Sequence, residues 1–169
     1  MKIITSAKIL RKKSQKIGKI TPQIKRLIKE MSKTLKENNG VGLAAPQVGE
    51  FLRLFIVEIP KTDYSPGFPL TVFINPQIKE KSKEIKTDEE GCLSLPNIWG
   101  QVPRYQKIKV EALNEKGEKF SLFCEDFLAR VIQHEIDHLD GILFIDRIND
   151  FSSLYQINEK GEKVPLIQL

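Results

Sequence analysis

The stretch that decides the fold runs from Phe127 to Leu139 and reads FLARVIQHEIDHL. Its apolar residues recur at intervals of three and four, which is the spacing of a helix that buries one face. Glu125 and Asp126 precede the stretch, and acidic residues stabilise the positive end of a helix dipole. Asp140-Gly141 supplies a stop, so we predict a helix from about Glu125 to Leu139.

His134, Glu135 and His138 lie on one face of this helix, because residues four apart on a helix are neighbours. The other polar residues form a separate stripe spaced by three, four and three: Arg130, Gln133, Asp137 and Asp140. This sidedness predicts that the histidines and the glutamate point inward and that the stripe faces the other way. Buried polar groups need partners, and a metal ion is the natural partner for two imidazoles.

A catalytic metal site usually has three protein ligands, so the two histidines need a third. Glu135 cannot easily bind together with both histidines, but it can reach a water on the metal, take its proton and pass that proton to a leaving group. Spacing favours Cys92, in the segment EGCLSLP at residues 90–96, as the third ligand. Cys124 is the other cysteine, and its apolar neighbour is typical of a small core residue.

The remaining sequence predicts an α+β fold, with small, mostly antiparallel sheets packed around the metal-binding helix. Thr21-Pro22 opens an amphipathic N-terminal helix that ends at Asn38-Asn39-Gly40. Strands are predicted over Leu52–Ile59 and Thr71–Ile78, the second at an edge or a bend because it contains Asn75-Pro76. A hairpin is predicted over Lys107–Leu113 and Lys119–Cys124.

The chain length predicts a single domain over residues 1–169. Within it, the charged stretch 79–90 is expected to be exposed, and residues 149–169 are expected to form an irregular C-terminal tail. Apolar residues make up 40% and charged residues 29% of the chain, and no apolar run is long enough for a membrane span. The early lysines are unlike a secretion signal, so the cytoplasm is the expected compartment.

The net charge is +5, and many lysines lie in the first forty residues. A basic excess can favour a polyanion such as ribosomal RNA. We interpret these lysines as a solvated helix face, because basic and aromatic residues do not alternate as they do in a dedicated nucleic-acid site.

Three segments together resemble the peptide deformylase family. Residues 40–47, GVGLAAPQ, are similar to its first motif, residues 90–94, EGCLS, to its second, and residues 133–138, QHEIDH, to its third. The three segments occur in the order of the family, and the resemblance extends from about Ile9 to Ile148. Val102-Pro103-Arg104 is similar to a further family segment.

The resemblance implies a hydrolase that removes the formyl group from N-formylmethionine at the start of newly synthesised proteins and releases formate. It implies one divalent metal ion on Cys92, His134 and His138. The metal is expected to be Fe(II) in the cell, whereas zinc, nickel or cobalt can occupy the site in purified protein. Glu135 is implied to be the general base and acid.

The same resemblance implies that the side-chain amide of Gln47 and the backbone N–H of Leu93 bind the formyl oxygen. Glu90 and Arg104 are implied to form an ion pair that supports the site. The methionine side chain needs an apolar pocket. The expected substrate-binding residues are Val41, Gly42, Phe127 and Val131. Arg130 is expected either to border this pocket or to face solvent.

The expected partners are N-formylmethionyl nascent peptides, with a possible transient contact to the ribosome. The tail after Ile148 lacks the long C-terminal helix of some family members, which leaves the mode of such a contact open. Two alternatives remain at this point. One is a zinc endopeptidase, which rests on the histidine pattern alone. The other is a non-catalytic metal-binding or RNA-binding module, which needs a closed site with Cys124 as the fourth ligand.

Overall fold

The computed structural model describes residues 1–62 and 66–166, and nine strands in these ranges form two sheets. The helices are α1 (Ala7–Leu10), α2 (Pro22–Glu37) and α3 (Asp126–Leu139), with short 3-10 helices at Ala45–Val48, Phe144–Arg147 and Phe151–Ser153. The strands are β1 (Gly42–Ala44), β2 (Leu54–Ile59), β3 (Phe68–Lys81), β4 (Ile85–Cys92), β5 (Leu95–Tyr105), β6 (Lys107–Leu113), β7 (Lys119–Glu125), β8 (Tyr155–Ile157) and β9 (Lys163–Pro165).

Neighbouring strands run antiparallel in both sheets, in the order β1-β2-β3-β6-β7 and β4-β5-β8-β9. Helix α3 contacts strands of both sheets, so it lies where they meet. The predicted α+β class with mostly antiparallel sheets is therefore confirmed. None of the described helices has the length and apolar character that crossing a bilayer requires.

Helix α2 begins and ends where the sequence predicts. The Thr21 side chain accepts a hydrogen bond from the Ile24 N–H, and Pro22 occupies the first helical position, where a missing N–H costs nothing. Asn39 follows the helix with a φ of 51°, a conformation that asparagine tolerates better than most residues. The apolar side of the helix is buried against β1, β2 and β3.

Strand β3 is longer than predicted and lies in the interior of its sheet, between β2 and β6. The edge position considered for it is wrong, whereas the bend is correct. The pairing with β6 shifts between Ile74 and Gln77, and Asn75 has a φ of 52°. Pro76 lies inside this shift, so it removes no N–H from the regular ladder. The Asn75 side chain bonds the backbone of Ile17 at 2.9 and 2.8 Å, which fixes the bend.

One face of α3 packs into the main apolar core, with Ala129, Ile132 and Leu139 fully buried. The polar stripe on the other face is also buried, which corrects the sequence-based orientation: Arg130, Gln133 and Asp137 are each 6% exposed. The reason is that β4 and β5 cover this face and provide polar partners. Helix α3 is therefore buried on two sides.

The C-terminal segment is more regular than predicted. Beyond Ile148 the chain forms a 3-10 helix and the strands β8 and β9, and β8 pairs with β5. Leu154 is 2% exposed and packs with Val102 and Phe144, which anchors the segment. The prediction of an irregular tail is wrong for the described part of the segment. Residues 167–169 lie outside the described ranges.

Gly141 ends α3 with a φ of +73°, which side chains with a Cβ rarely adopt. A Cβ there would overlap the carbonyl oxygen of Arg11 and lie 2.7 Å from its carbonyl carbon, and backbone atoms yield little. We expect Gly141→Ala to lower the free energy of unfolding by at least about 2 kcal/mol. Urea unfolding at equal metal content measures this.

The matched control is Gly18→Ala, because a Cβ on Gly18 meets no described atom within 4 Å. Its expected effect on the free energy of unfolding is below about 0.5 kcal/mol. Equal urea midpoints for the two variants would show that the Gly141 conformation is not required.

Candidate metal and active site

Three potential metal ligands meet at the junction of the two sheets. Cys92 closes β4, whereas His134 and His138 project from α3. One donor atom from each residue lies within 4.8 Å of the other two. Sγ of Cys92 is 3.3 Å from Nε2 of His138, and the two imidazole centroids are 4.9 Å apart. The structure therefore brings together the three residues that the sequence singles out.

The position of Cys92 depends on an irregularity in the β4–β5 hairpin. Gly91 pairs with Trp99 but Cys92 pairs with Leu95, so three residues of β5 bulge out between these two pairs. A bulge changes the direction in which the neighbouring side chains point. Gly91 is needed here, because a Cβ on it would lie 2.9 Å from the Trp99 ring.

The charges around Cys92 favour the form of cysteine that binds metals. Burial alone would raise the pKa of the thiol, but the positive charge of His138 and hydrogen bonds with both imidazoles lower it well below its ordinary value. Burial lowers the pKa of His134, but the hydrogen bonds to Cys92 and Glu90 raise it well above the ordinary histidine value. A thiolate is the cysteine species that coordinates metal ions.

One sulfur and two nitrogen donors fit a divalent transition metal. Tetrahedral Zn–S and Zn–N bonds of about 2.3 and 2.1 Å place neighbouring donors about 3.6 Å apart. The 3.3 Å between Sγ of Cys92 and Nε2 of His138 is near this spacing. Within residues 1–62 and 66–166 the group has three members and excludes Cys124, which is 4% exposed in the apolar core. The closed four-ligand site of the non-catalytic alternative therefore lacks its fourth ligand in this part of the chain.

Glu135 is 4% exposed and faces the same space. Its Oε2 atom is buried and has no hydrogen-bond partner among the described residues. Burial raises the pKa of Glu135 to about 7, against the opposing effect of His134 and His138. A carboxyl group with a pKa near neutrality can accept and donate a proton under ordinary conditions. A buried oxygen without a partner also fits a site that holds a water molecule.

Gln47, the last residue of the first motif, is buried beside Cys92. Its Oε1 accepts a 2.8 Å hydrogen bond from the Ala44 N–H, which settles the orientation of the amide. Its Nε2 therefore points at the site, 3.2 Å from Oγ of Ser94 and 3.5 Å from Sγ of Cys92. Leu93 lies with Ser94 in the turn between β4 and β5 and borders the same space. Ser94 is fully buried and was not among the site residues predicted from the sequence.

Glu90 holds His134 in place and is itself held by two arginines. Its Oε2 lies 2.9 Å from Nδ1 of His134. Arg104 donates to both carboxylate oxygens, at 2.9 and 3.0 Å, and Arg130 donates to Oε1 at 2.7 Å. Burial alone would raise the pKa of Glu90, but the hydrogen bonds and charges of His134 and Arg104 hold it far below the usual range. Glu90 is thus an ionised acceptor, so the His134 Nδ1 is the donor.

A cavity of about 630 Å³ opens onto Glu135 and the ligands. The four residues expected to bind substrate all line it: Val41, Gly42, Phe127 and Val131. Ile98 and Trp99 also border it, and sequence analysis missed both because strand β5 was not predicted. Trp99, the only tryptophan, is 38% exposed, and an exposed tryptophan beside a cavity is a signal that could have identified it.

The chain is similar in sequence to known proteins. A model of the family described as "Polypeptide deformylase" matches residues 1–153. The curated protein "Peptide deformylase 1" from Clostridium perfringens is 54% identical over 138 residues, which cover 82% of this chain and 90% of that protein.

Solved structures show the same fold. A peptide deformylase from Ehrlichia chaffeensis in complex with actinonin aligns with a TM-score of 0.83 at 34% identity, over 89% of this chain and 90% of that chain. A class I type b peptide deformylase from Acinetobacter baumannii with Met-Ala-Ser bound aligns with a TM-score of 0.82 at 37% identity, over 88% of this chain and 98% of that chain. The family model spans nearly the whole chain, and we conclude that this protein belongs to the polypeptide deformylase family.

Proposed function

We propose that this protein hydrolyses the formyl amide of N-formylmethionine at the start of newly synthesised proteins and releases formate. The observation that carries the proposal is the arrangement of Cys92, His134 and His138 beside Glu135 at an apolar cavity. Family membership supports the same reaction. The reaction belongs in the cytoplasm, where nascent chains leave the ribosome, and any contact with the ribosome is transient.

We assign the metal to Cys92, His134 and His138, with Fe(II) as the ion in the cell and zinc, nickel or cobalt as substitutes in purified protein. The spacing and chemistry of the three donors support this assignment. A divalent ion supplies a positive charge that polarises a carbonyl oxygen and lowers the pKa of a water molecule toward neutrality.

Glu135 moves the proton. Its Oε2 has no hydrogen-bond partner in the part of the chain that the structure describes, and burial raises its pKa, so this carboxylate is ready to take a proton from the attacking water. The same carboxyl group then gives the proton to the departing amine, so one residue acts first as a base and then as an acid. Proton transfer by a positioned side chain typically contributes about 10²–10⁴-fold to the rate.

Gln47 and the backbone N–H of Leu93 bind the formyl oxygen as it becomes negative. The bond from Ala44 fixes the Gln47 amide with its N–H groups toward the site, so no reorientation is needed when charge develops. A neutral amide also leaves the charge of the metal undiminished. Loss of one such donor typically lowers the rate by about 10²–10³-fold.

The methionine side chain occupies the apolar part of the cavity, between Val41, Phe127 and Val131. Phe127 is 53% exposed, so a substrate side chain placed against it would bury apolar surface that is otherwise in water. The Acinetobacter baumannii relative with Met-Ala-Ser bound supports a peptide that begins with methionine.

The proposal is tested with formyl-Met-Ala-Ser and anaerobically prepared, iron-loaded protein, with release of formate as the readout. We expect formate release from this peptide and no hydrolysis of the peptide bonds of unformylated Met-Ala-Ser. Absence of formate release at full metal occupancy would overturn the proposal. Internal cleavage of longer unformylated peptides would support the endopeptidase alternative instead.

Gly42 gives a further prediction, because its Cα lies against the Glu135 side chain. A Cβ there would overlap Oε1 and lie 2.8 Å from Cδ of that carboxyl group. We expect Gly42→Ala to displace the carboxylate and to lower kcat/KM by about 10²-fold, the usual effect of an error of about 1 Å in a catalytic group. Metal content should stay at the wild-type level, and Gly18→Ala should stay within about twofold of wild type. Full activity in Gly42→Ala would show that the position of Glu135 is not critical.

A further inference from the structure

Arg130 is a buried cation whose role the proposed reaction leaves unassigned. It lies on α3 one turn before His134 and is 6% exposed, so it does not face solvent. We infer that Arg130 is a positioning residue. It fixes the Glu90 carboxylate relative to α3, and the carboxylate in turn fixes the imidazole of His134, a proposed metal ligand. This inference rests on the proposed metal site.

The contacts of Arg130 tie three elements together. Nη1 donates to Glu90 Oε1 at 2.7 Å and to the Val102 carbonyl at 2.8 Å, and Nη2 donates to the Lys86 carbonyl at 2.7 Å. Glu90 and Lys86 belong to β4 and Val102 belongs to β5. The guanidinium thus fastens the helix that bears the histidines to the hairpin that bears Cys92.

Arg130 and His134 both extend from α3, and each binds one oxygen of the Glu90 carboxylate. Arg130 binds Oε1, and His134 Nδ1 binds Oε2 at 2.9 Å. Residues four apart are neighbours on a helix surface, so the two groups face the carboxylate side by side. Any rotation of Glu90 that weakened its bond to His134 would also break its bond to Arg130. The Nδ1–H of His134 is therefore fixed, and Nε2 is left as the metal donor.

Arg104 cannot supply this restraint alone. It binds both oxygens of Glu90, but it extends from β5 and also donates to Asp137. Arg104 thus reaches α3 only through a second carboxylate, Asp137, whereas Arg130 bonds Glu90 directly from the helix. Asp137 is shared with Arg147, which donates to Oδ1 at 2.7 Å; within residues 1–62 and 66–166, Arg147 has no hydrogen bond to Glu90. Arg147 thus provides a control, because it belongs to the same ionic network but lies one step farther from the metal site.

The test compares Arg130→Met, Arg130→Lys and Arg147→Gln with wild type in the Co(II)-loaded protein. Release of Co(II) to excess chelator is followed through the cobalt absorption bands. Loss of a group that orients a ligand typically lowers metal affinity by about 10–100-fold. We expect Co(II) release from Arg130→Met to be faster by about this factor, Arg130→Lys to be intermediate, and Arg147→Gln to stay within about threefold.

A second readout follows the imidazole N–H proton of His134 by NMR in the zinc-loaded protein. The chain has only two histidines, so assignment is direct. We expect this proton to exchange with solvent faster in Arg130→Met and at an intermediate rate in Arg130→Lys. If both arginine variants release cobalt at the wild-type rate, or if Arg147→Gln has the same effect as Arg130→Met, the positioning role is overturned. Should Arg130→Met fail to fold, Arg130→Lys alone decides the question. If wild type itself binds no metal, the proposed function fails instead.

Discussion

Replacing Glu135 with glutamine is expected to lower kcat/KM for formyl-Met-Ala-Ser by about 10²–10⁴-fold while the protein keeps its metal. Glutamine has nearly the same shape, but it cannot take a proton from the attacking water. The three potential metal donors lie on other residues, so we expect binding of the ion not to depend on the Glu135 carboxylate. The measurement is formate release together with metal content for each preparation.

The matched control is Glu125→Gln, which removes an exposed carboxylate at the start of the same helix. It should retain activity within about twofold, because surface substitutions have small effects.

The pH dependence gives a second check. Burial raises the pKa of Glu135 to about 7, and a bound cation would lower it again. The base must be ionised to act, so kcat/KM of the metal-loaded wild type should fall as pH drops through the pKa that Glu135 has beside the cation. Wild-type turnover in Glu135→Gln would show that the proton path is wrong.

Replacing Cys92 with alanine is expected to have the other large effect, through loss of the metal itself. The substitution removes the only anionic donor of the group and leaves two imidazoles. Loss of a group that only orients a ligand lowers metal affinity by about 10–100-fold. We expect loss of the ligand itself to lower the affinity for Zn(II) or Co(II) by more than this. Formate release should fall with metal occupancy. Chelator competition measures the affinity, and the thiolate-to-cobalt absorption band should disappear.

Cys124→Ala separates this effect from general loss of a thiol. Cys124 lies in the apolar core, and burial raises the pKa of its thiol to about 12, so it stays protonated and inert. This variant should bind cobalt as tightly as wild type, with at most a loss of stability of about 1–2 kcal/mol from the smaller side chain. If Cys124→Ala lost the metal while Cys92→Ala kept it, the ligand assignment would be reversed.

The elements with strong local signals were predictable. Thr21-Pro22 marks the start of α2, and the sequence around residues 114–117 marks the β6–β7 hairpin. His134 and His138 share a helix, so their proximity follows from helix geometry alone. Spacing favoured Cys92 as the residue beside them. In the fold its position depends on the bulge opposite Gly91, for which the sequence carries only a weak signal.

The buried polar face of α3 could not be predicted from its periodicity. A polar stripe usually faces water, and its pattern reports polarity rather than exposure. Here Arg130 meets Glu90, which is 40 residues earlier in the chain, and Asp137 meets Arg104, 33 residues earlier. Such partners can be identified only once the strands that carry them are placed. Strand β4 was read as an exposed charged stretch, and its side chains are exposed up to Glu89, but the strand itself went unrecognised.

The short C-terminal strands could not be predicted, for a different reason. β8 and β9 have three residues each, which is too little sequence for an alternating pattern to be seen. Their position depends on pairing of Tyr155 with Trp99 and on burial of Leu154, both contacts with distant parts of the chain.

The donor atoms come from both sides of the junction between the sheets, since Cys92 closes a strand of one sheet and the apolar face of α3 packs on the other. A bound ion would therefore act as a crosslink between two layers, and it would favour the closed arrangement as its occupancy rises. Oxidation of the thiolate removes this crosslink, because an oxidised sulfur is a poor ligand. The amides of β4 and β5 would then exchange with deuterium sooner than those of β2 and β3, and proteases would cut there first. A molecule whose Cys92 thiolate has been oxidised would in this way also be degraded sooner.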